Sequence, residues 1–303
     1  MTRLTCLFGC GLLIGFSGNG GAQEPEQFQI SVNVNLVVLP ATVQDRSGLT
    51  PTGLTAEDFE VYEDGVRQSI RLFRHDDTPV AAGLVVDHSG SMRHKIPDVV
   101  AAAQAFARSS SPADQMFVVN FNEHVTLGLP TDKSFSDIPT ELGEAISGAA
   151  ATGQTALYDA ITSALEHLQT AHQDKKVLIV ISDGGDNASR HTLEEALRMA
   201  ERSGALVYTI GIYDEGDPDR NPKVLRHLAQ ATGGEAFFPL QTAEAVTVCE
   251  RIARDIRGQY TLGYESNRPP HPGAYRQVRV VAHAPGMGHL TVRTRAGYFE
   301  GSK

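Results

Sequence analysis

The sequence has 303 residues, of which 41% are hydrophobic and 20% are charged, and its formal net charge is −10. This composition is typical of globular proteins, and the length allows one large domain or two smaller ones. The acidic balance and the lack of a basic run in the sequence argue against a nucleic-acid partner.

The first 22 residues predict a cleaved signal peptide. Arg3 precedes an apolar stretch over 4–16, and the small residues at 20–22 resemble a cleavage site. The apolar stretch is too short to span a membrane comfortably, and no later stretch is apolar enough to cross one. We therefore expect an exported protein in the periplasm, on the cell surface or outside the cell, without a transmembrane segment after cleavage. An N-terminal anchor that is not cleaved is the alternative.

Cleavage would leave a single cysteine in the chain. Cys6 and Cys10 lie within the predicted leader, so only Cys249 remains and no internal disulfide can form. Cys249 falls in a predicted helix, where a cysteine is most simply a small buried apolar residue.

The N-terminal flank, residues 26–76, has the pattern of β-strands. From Phe28 onward, apolar and polar residues alternate, which predicts a half-buried strand. The stretch FEVYEDGVRQSIRLF then predicts a hairpin of two strands, because the Asp64-Gly65 pair suits the positive φ angles of a tight turn.

Residues 78–257 follow a different pattern, in which continuous apolar strands are separated by helices. The predicted strands are VAAGLVV, MFVVNF, HVTLGL, KVLIVIS, ALVYTIGIY and GEAFFPL. Helices are predicted at about 96–110, 155–170, 192–204 and 223–231, and in the stretch that ends at Arg257. Strands without alternation are buried on both faces, which indicates an α/β domain with a parallel sheet covered by helices on both sides.

After Gly258 the chain returns to short strands, QYTLGY, YRQVRVVAH and HLTVRTR. Either flank alone has few strands and would be a marginal fold. We therefore expect residues 26–76 and 258–300 to combine into one small all-β, sandwich-like domain, with the α/β domain inserted between them.

Oxygen-bearing side chains follow three of these predicted elements. Asp87, Ser89 and Ser91 come directly after the first strand of the α/β domain, Thr155 lies at the start of a helix, and Asp183 directly follows another strand. In an open parallel sheet, ligands gather at the carboxyl ends of the strands. Two carboxylates and three hydroxyls suit a hard divalent cation, Mg²⁺ or Mn²⁺. The neutral hydroxyls leave such an ion able to accept one more carboxylate from outside.

The combination of D-x-S-x-S, a threonine in a glycine-containing loop and an aspartate in S-D-G resembles the metal-ion-dependent adhesion site of von Willebrand factor A domains. The resemblance covers roughly residues 80–257. It implies a Rossmann-like fold with a mostly parallel six-stranded sheet and one short antiparallel edge strand, for which HVTLGL is the candidate. The segments LTAEDFEVYEDG and RAGYF also resemble a bacterial secreted subfamily called VWFA-related.

The resemblance implies a role for each candidate ligand. Ser89 and Ser91 would coordinate the metal through their hydroxyls, and Thr155 would join them in the ligand-competent state. Asp87 and Asp183 would contribute directly or through water. An Asp or Glu of a partner protein would take the remaining position, so the implied function is a non-enzymatic, metal-dependent protein-binding or adhesion module.

Two other functions stay open at this point. The first is a scaffold whose metal is purely structural. The second is a serine hydrolase that uses Ser89 or Ser91, although the G-x-S-x-G elbow is missing because Asp87 occupies the place of its first glycine. For the Asp87 segment, a turn of capping residues with no metal is the alternative, although its pairing with Thr155 and Asp183 would then be accidental.

Several polar residues near these segments have simpler expected roles. Thr155 suits a helix N-cap, a role compatible with metal binding, and Asp159 is either an orienting residue behind a ligand or a surface or capping residue. Asp186 and Asn187 are expected in a solvated loop. Three histidines lack the tight ligand spacing of a zinc site: His88, His94 and His124. His88 is expected at the rim of the metal site.

Overall fold

The computed structural model describes residues 36–213, 216, 220–269 and 271–301. The predicted signal peptide and most of the alternating stretch from Phe28 lie outside the described residues. None of the described helices is long and apolar enough to cross a membrane.

The described part of the N-terminal flank forms four strands, β1 (Leu36–Gln44), β2 (Phe59–Glu63), β3 (Val66–Gln68) and β4 (Ile70–Arg74). β2 and β3 form the predicted hairpin, whose turn residues Asp64 and Gly65 have φ angles of 45° and 80°. The prediction of one continuous second strand is wrong. The chain breaks after β3 because β4 pairs with a strand of a different sheet.

The central part alternates strands and helices, and the C-terminal flank returns to strands. The central elements are β5 (Val80–Asp87), α1 (Ile96–Arg108), β6 (Gln115–Phe121), β7 (Val125–Leu127), α2 (Pro139–Ser147), α3 (Leu157–Leu168), β8 (Lys175–Ser182), α4 (Leu193–Ser203), β9 (Leu206–Gly211), α5 (Pro222–Thr232), β10 (Ala236–Phe237) and α6 (Ala245–Arg257). The flank adds β11 (Tyr260–Glu265), β12 (Tyr275–Ala282), β13 (Thr291–Arg293) and β14 (Gly297–Phe299).

The central strands form one six-stranded sheet in the order β10-β9-β8-β5-β6-β7. All neighbours are parallel except β7, which runs antiparallel to β6 at the edge. All eight residues of β5 are buried, because helices cover both faces of the sheet. The predicted Rossmann-like arrangement is confirmed, including HVTLGL as the antiparallel edge strand. Cys249 is fully buried in α6, as predicted.

α2 is a helix that the sequence pattern does not predict. This helix has nine residues, begins at Pro139 and contains Gly143, whose low helix propensity weakens the pattern. Its buried residues, Leu142, Gly143 and Ile146, pack the helix against α1 and β6. Tertiary packing therefore decides this helix more than its local sequence does.

Strands of both flanks share two four-stranded antiparallel sheets, in the orders β13-β1-β11-β4 and β14-β12-β2-β3. Their inner faces meet in one hydrophobic core, which contains Leu39 and Tyr260 from the first sheet and Phe59, Val61 and Val280 from the second. Both flanks are needed for each sheet, in line with the sandwich expected from the sequence. The domain boundaries at 76–78 and 257–258 stay a prediction.

Candidate metal centre

β5 carries Asp87 to the carboxyl edge of the central sheet, where its side chain is 0% exposed. Asp87 Oδ1 accepts a hydrogen bond from the backbone N–H of Ser89 at 2.8 Å, and Oδ2 accepts one from Ser182 Oγ at 2.6 Å. β5 and β8 are parallel neighbours with Val86 opposite Ile181, so Asp87 and Ser182 lie side by side at the ends of their strands. The register of the sheet therefore fixes the position of the carboxylate.

The loop after β5 meets the loop after β8 through side-chain oxygen atoms. Ser91 Oγ donates a hydrogen bond to Asp183 Oδ2 at 2.8 Å, and Ser89 Oγ lies 3.1 Å from Ser91 Oγ. Ser89 and Asp183 are buried, and Ser91 is half-buried. Ser89, Ser91 and Asp183 are therefore linked through their side-chain oxygen atoms, and Asp87 is joined to them through the backbone N–H of Ser89.

The segment that carries Thr155 lies against the loop after β5. The backbone N–H of Thr152 donates to His88 O at 2.8 Å, and that of Gly90 donates to Gly153 O at 3.3 Å. Thr155 itself is buried, at 6% exposed. Within the described part of the chain, its hydroxyl makes no hydrogen bond to the other four candidate ligands, so the fifth is adjacent to the set and not joined to it.

The sequence pattern predicts Thr155 as the N-cap of α3, and this prediction is wrong. The helix begins one residue later than that role requires, its N-cap is Ala156, and no hydrogen bond from an N-cap side chain is present. The first N–H groups of the helix instead donate hydrogen bonds to the loop after β8. Tyr158 N donates to Asp186 Oδ2 at 3.1 Å, and Asp159 N donates to Ser189 Oγ at 3.1 Å. The Thr155 hydroxyl is therefore not used in capping.

Burial raises the pKa of Asp87 to about 6, because an apolar environment disfavours the charged form. Hydrogen bonds from Ser182 and Ser89 oppose this shift, and the neighbouring Asp183 carboxylate adds to it. Two buried carboxylates close together are favoured in their charged form when a cation binds between them. The electrostatics of the cluster therefore fit a bound divalent ion.

The chemistry of the donor set points to the class of ion. Among the described residues, no group of three or more His, Cys, Asp or Glu side chains could hold a metal. An ion at this edge would depend on hydroxyl oxygens in addition to the two carboxylates, and such all-oxygen sets suit Mg²⁺ or Mn²⁺ more than soft metals.

Among the described residues, the side chains of His88, His94 and His124 make no hydrogen bond to a candidate ligand. His88 is 1% exposed, and its Nε2 lies 3.0 Å from Asn120 Oδ1, so the ring points away from the rim expected for it. Burial lowers the pKa of His88. His94 and His124 are exposed.

Sequence reasoning missed three residues that support the centre. Ser182 donates to Asp87, and its position at the end of a strand beside β5 was a usable signal. Asn187 accepts a hydrogen bond from Thr155 N at 2.9 Å, although it is itself exposed and the sequence predicts only a solvated loop there. Glu123 Oε2 accepts one from Gln154 N at 2.9 Å, and no local pattern reveals that contact.

The sequence model of the von Willebrand factor type A domain matches residues 83–250. The chain belongs to this family. The match runs from β5 into α6, so it contains every candidate ligand. No curated protein matches the sequence.

Solved structures of von Willebrand factor A proteins have the same fold. A von Willebrand factor type A protein from Catenulispora acidiphila has 15% identity and a TM-score of 0.54, over 89% of this chain and 75% of that chain. The von Willebrand factor domain of a type V pilus tip protein from Porphyromonas gingivalis has 14% identity and a TM-score of 0.50, over 59% of this chain and 95% of that chain. Proximal thread matrix protein 1 of the mussel byssus, with zinc in its metal-ion-dependent adhesion site, has 16% identity and a TM-score of 0.51. The match covers 64% of this chain and 49% of that chain.

Proposed function

We propose that this protein is an exported, metal-dependent protein-binding module of the von Willebrand factor A family. Asp87, Ser89, Ser91, Thr155 and Asp183 would hold one Mg²⁺ or Mn²⁺ ion at the carboxyl edge of the sheet. When bound, the ion supplies a coordination position that an Asp or Glu carboxylate of a partner protein can fill. The predicted leader supports export, and the RAGYF and LTAEDFEVYEDG segments support membership of the VWFA-related subfamily.

One observation carries this proposal. The hydrogen bond from Ser91 Oγ to Asp183 Oδ2, with Ser89 Oγ beside it, joins two loops that are 92 positions apart in sequence. Loops that merely cap their own helices have no need to place a hydroxyl pair against a buried carboxylate from another strand. The arrangement is what an oxygen-ligand centre requires.

The same geometry disfavours a serine hydrolase. A nucleophilic serine needs a histidine base within hydrogen-bond reach. The ring of His88 binds Asn120, and among the described residues no histidine hydrogen-bonds to Ser89 or Ser91. Ser91 Oγ donates a hydrogen bond to Asp183, a carboxylate that would not activate it well as a nucleophile.

Titration calorimetry with Mg²⁺ and Mn²⁺ tests the centre. We expect the chain without its leader to bind one ion, and Ser91→Ala and Asp183→Ala to weaken binding at least about 10-fold, because each removes a ligand oxygen. Asp132→Asn is the matched control, since it removes an exposed carboxylate outside the centre. Failure of the unsubstituted chain to bind either ion would refute the proposal.

Affinity capture from native extract distinguishes an adhesive centre from a scaffold with a structural metal. Partners of an adhesive centre should be released by EDTA and should not bind the Ser91→Ala chain. Partners that survive both treatments would show that the interface lies elsewhere, and they would favour the scaffold.

A further inference from the structure

The backbone of Thr155 is bound on both sides by the loop after β8. Its N–H donates to Asn187 Oδ1 at 2.9 Å, and its carbonyl accepts from Asn187 N at 3.0 Å and Ala188 N at 3.1 Å. Three hydrogen bonds therefore fix both peptide groups of the one candidate ligand that is not joined to the other four.

The residues just before Thr155 are also held from outside their own segment. Glu123 Oε2 accepts from Gln154 N at 2.9 Å, and the carboxylate lies so close to Gly153 that a Cβ there would be 1.8 Å from Glu123 Oε2. Gly153 has a φ angle of 83°, which a residue with a side chain rarely adopts. The segment therefore has little freedom to move on this side.

The loop that holds Thr155 is anchored in turn to the start of α3. Asp186 Oδ2 accepts from Tyr158 N at 3.1 Å and from Ser189 Oγ at 2.5 Å, and Ser189 Oγ accepts from Asp159 N at 3.1 Å. Asp159 binds back to the loop, accepting from His191 N at 2.9 Å. This loop caps α3, so the Thr155 hydroxyl is not used in capping.

We propose that Asn187 is a positioning residue for the metal centre. It fixes the backbone of Thr155 so that the hydroxyl is directed to the metal while Asp186 and Ser189 cap the helix. The inference rests on the proposed function, because it gives Asn187 a role only if Thr155 coordinates an ion. Partners behind a ligand typically change metal affinity by about 10-fold to 100-fold when they are removed.

The number of water molecules bound to Mn²⁺ separates this role from a general contribution to stability. A ligand that is lost from a hard cation is replaced by water. Water-proton relaxation of the Mn²⁺-loaded chain should therefore show about one more bound water in Thr155→Ala, and the same increase in Asn187→Ala. Asn187→Asp keeps the accepting oxygen and should restore the unsubstituted water number.

Ser189→Ala is the matched control. It removes a hydrogen bond from the same loop to α3 and should lower the unfolding temperature in EDTA, yet it does not touch Thr155. We expect it to leave the water number unchanged.

The outcomes separate this inference from the proposed function. A chain that binds no Mn²⁺ at all would refute the function itself. An Mn²⁺-loaded chain in which Thr155→Ala adds a water and Asn187→Ala does not would overturn only the role of Asn187. Equal water numbers in Asn187→Ala and Ser189→Ala would also overturn it.

Discussion

At the level of single residues, hydroxyl groups hold the carboxylates of the candidate centre in place. Asp87 shows this most clearly, because the Ser182 hydroxyl and the Ser89 N–H occupy separate oxygen atoms of its carboxylate. The Ser182 hydroxyl also accepts from Gly184 N at 3.0 Å, so one side chain ties the end of β8 to the start of the loop that contains Asp183.

Ser182→Ala should lower the free energy of unfolding by about 1–3 kcal/mol, because it leaves a buried carboxylate oxygen without its donor. Urea denaturation in EDTA measures the change without a contribution from bound metal. Ser182→Thr keeps the hydroxyl and is the control. An alanine chain as stable as the unsubstituted one would show that the hydrogen bond to Asp87 contributes little.

The sequence predicts the candidate ligands, whose own side chains carry the oxygen atoms. It does not predict residues such as Asn187, which hold a ligand in position. Asp87, Ser89, Ser91 and Asp183 follow strands in a recognisable pattern, and the structure brings them together. Asn187 acts through a backbone contact with a segment 32 positions away. No local pattern encodes such a contact, because it depends on how the two loops are folded together.

At the level of elements, the two sheets of the flanking sandwich are joined by a buried polar cluster in addition to their apolar core. Glu63 of β2 is 0% exposed and accepts hydrogen bonds from Tyr264 Oη at 2.7 Å, Tyr298 Oη at 2.8 Å and Ser266 Oγ at 2.5 Å. Tyr264 lies in β11 of the first sheet, and Tyr298 lies in β14 of the second. One carboxylate therefore links both sheets.

Glu63→Gln should destabilise the chain by about 1–3 kcal/mol, because the amide replaces an accepting oxygen with a donor that faces a hydroxyl. Thermal and chemical denaturation measure the loss. Glu60→Gln, on the same strand but with its side chain partly exposed, is the control and should change stability little. If the Glu63→Gln chain were as stable as the Glu60→Gln control, the Glu63 carboxylate would not link the two sheets as proposed.

The predicted elements are confirmed where burial or turn geometry alone defines them. They fail where contact with another element decides whether a helix forms or where a strand ends. The apolar strands of the central sheet and the Asp64-Gly65 turn follow directly from periodicity and from the φ preferences of the turn. α2 and the break between β3 and β4 depend on α1 and on β11, which the local sequence does not reveal.

At the level of the whole molecule, the flanking sandwich is fastened to the central sheet by a cluster of charges. Arg293 of β13 lies 2.9 Å from Asp255 of α6 and also forms an ion pair with Glu235, just before β10. The side chains of Arg293 and Asp255 are only 18% and 7% exposed. Gln259 adds a neutral contact at the same junction, since its Nε2 donates to Thr42 Oγ1 of β1 at 3.1 Å and to Tyr208 Oη of β9 at 3.4 Å.

Arg293→Ala should cost about 3 kcal/mol of unfolding free energy, because it leaves the buried Asp255 carboxylate without its cation and leaves Glu235 with Arg251 alone. Arg251→Ala is the matched control, since Arg251 forms an ion pair with the same Glu235 but is 39% exposed, and its loss should cost about 1 kcal/mol or less. Equal losses in the two variants would mean that the junction is not held by buried charge.

Crystals grown with Mn²⁺ and measured for anomalous scattering would show whether the five oxygen-bearing side chains hold an ion. We expect one peak at the carboxyl edge of the central sheet, about 2.0–2.2 Å from hydroxyl oxygens of Ser89, Ser91 and Thr155. A map with no peak among these three hydroxyls, or with its only strong peak elsewhere on the molecule, would contradict it.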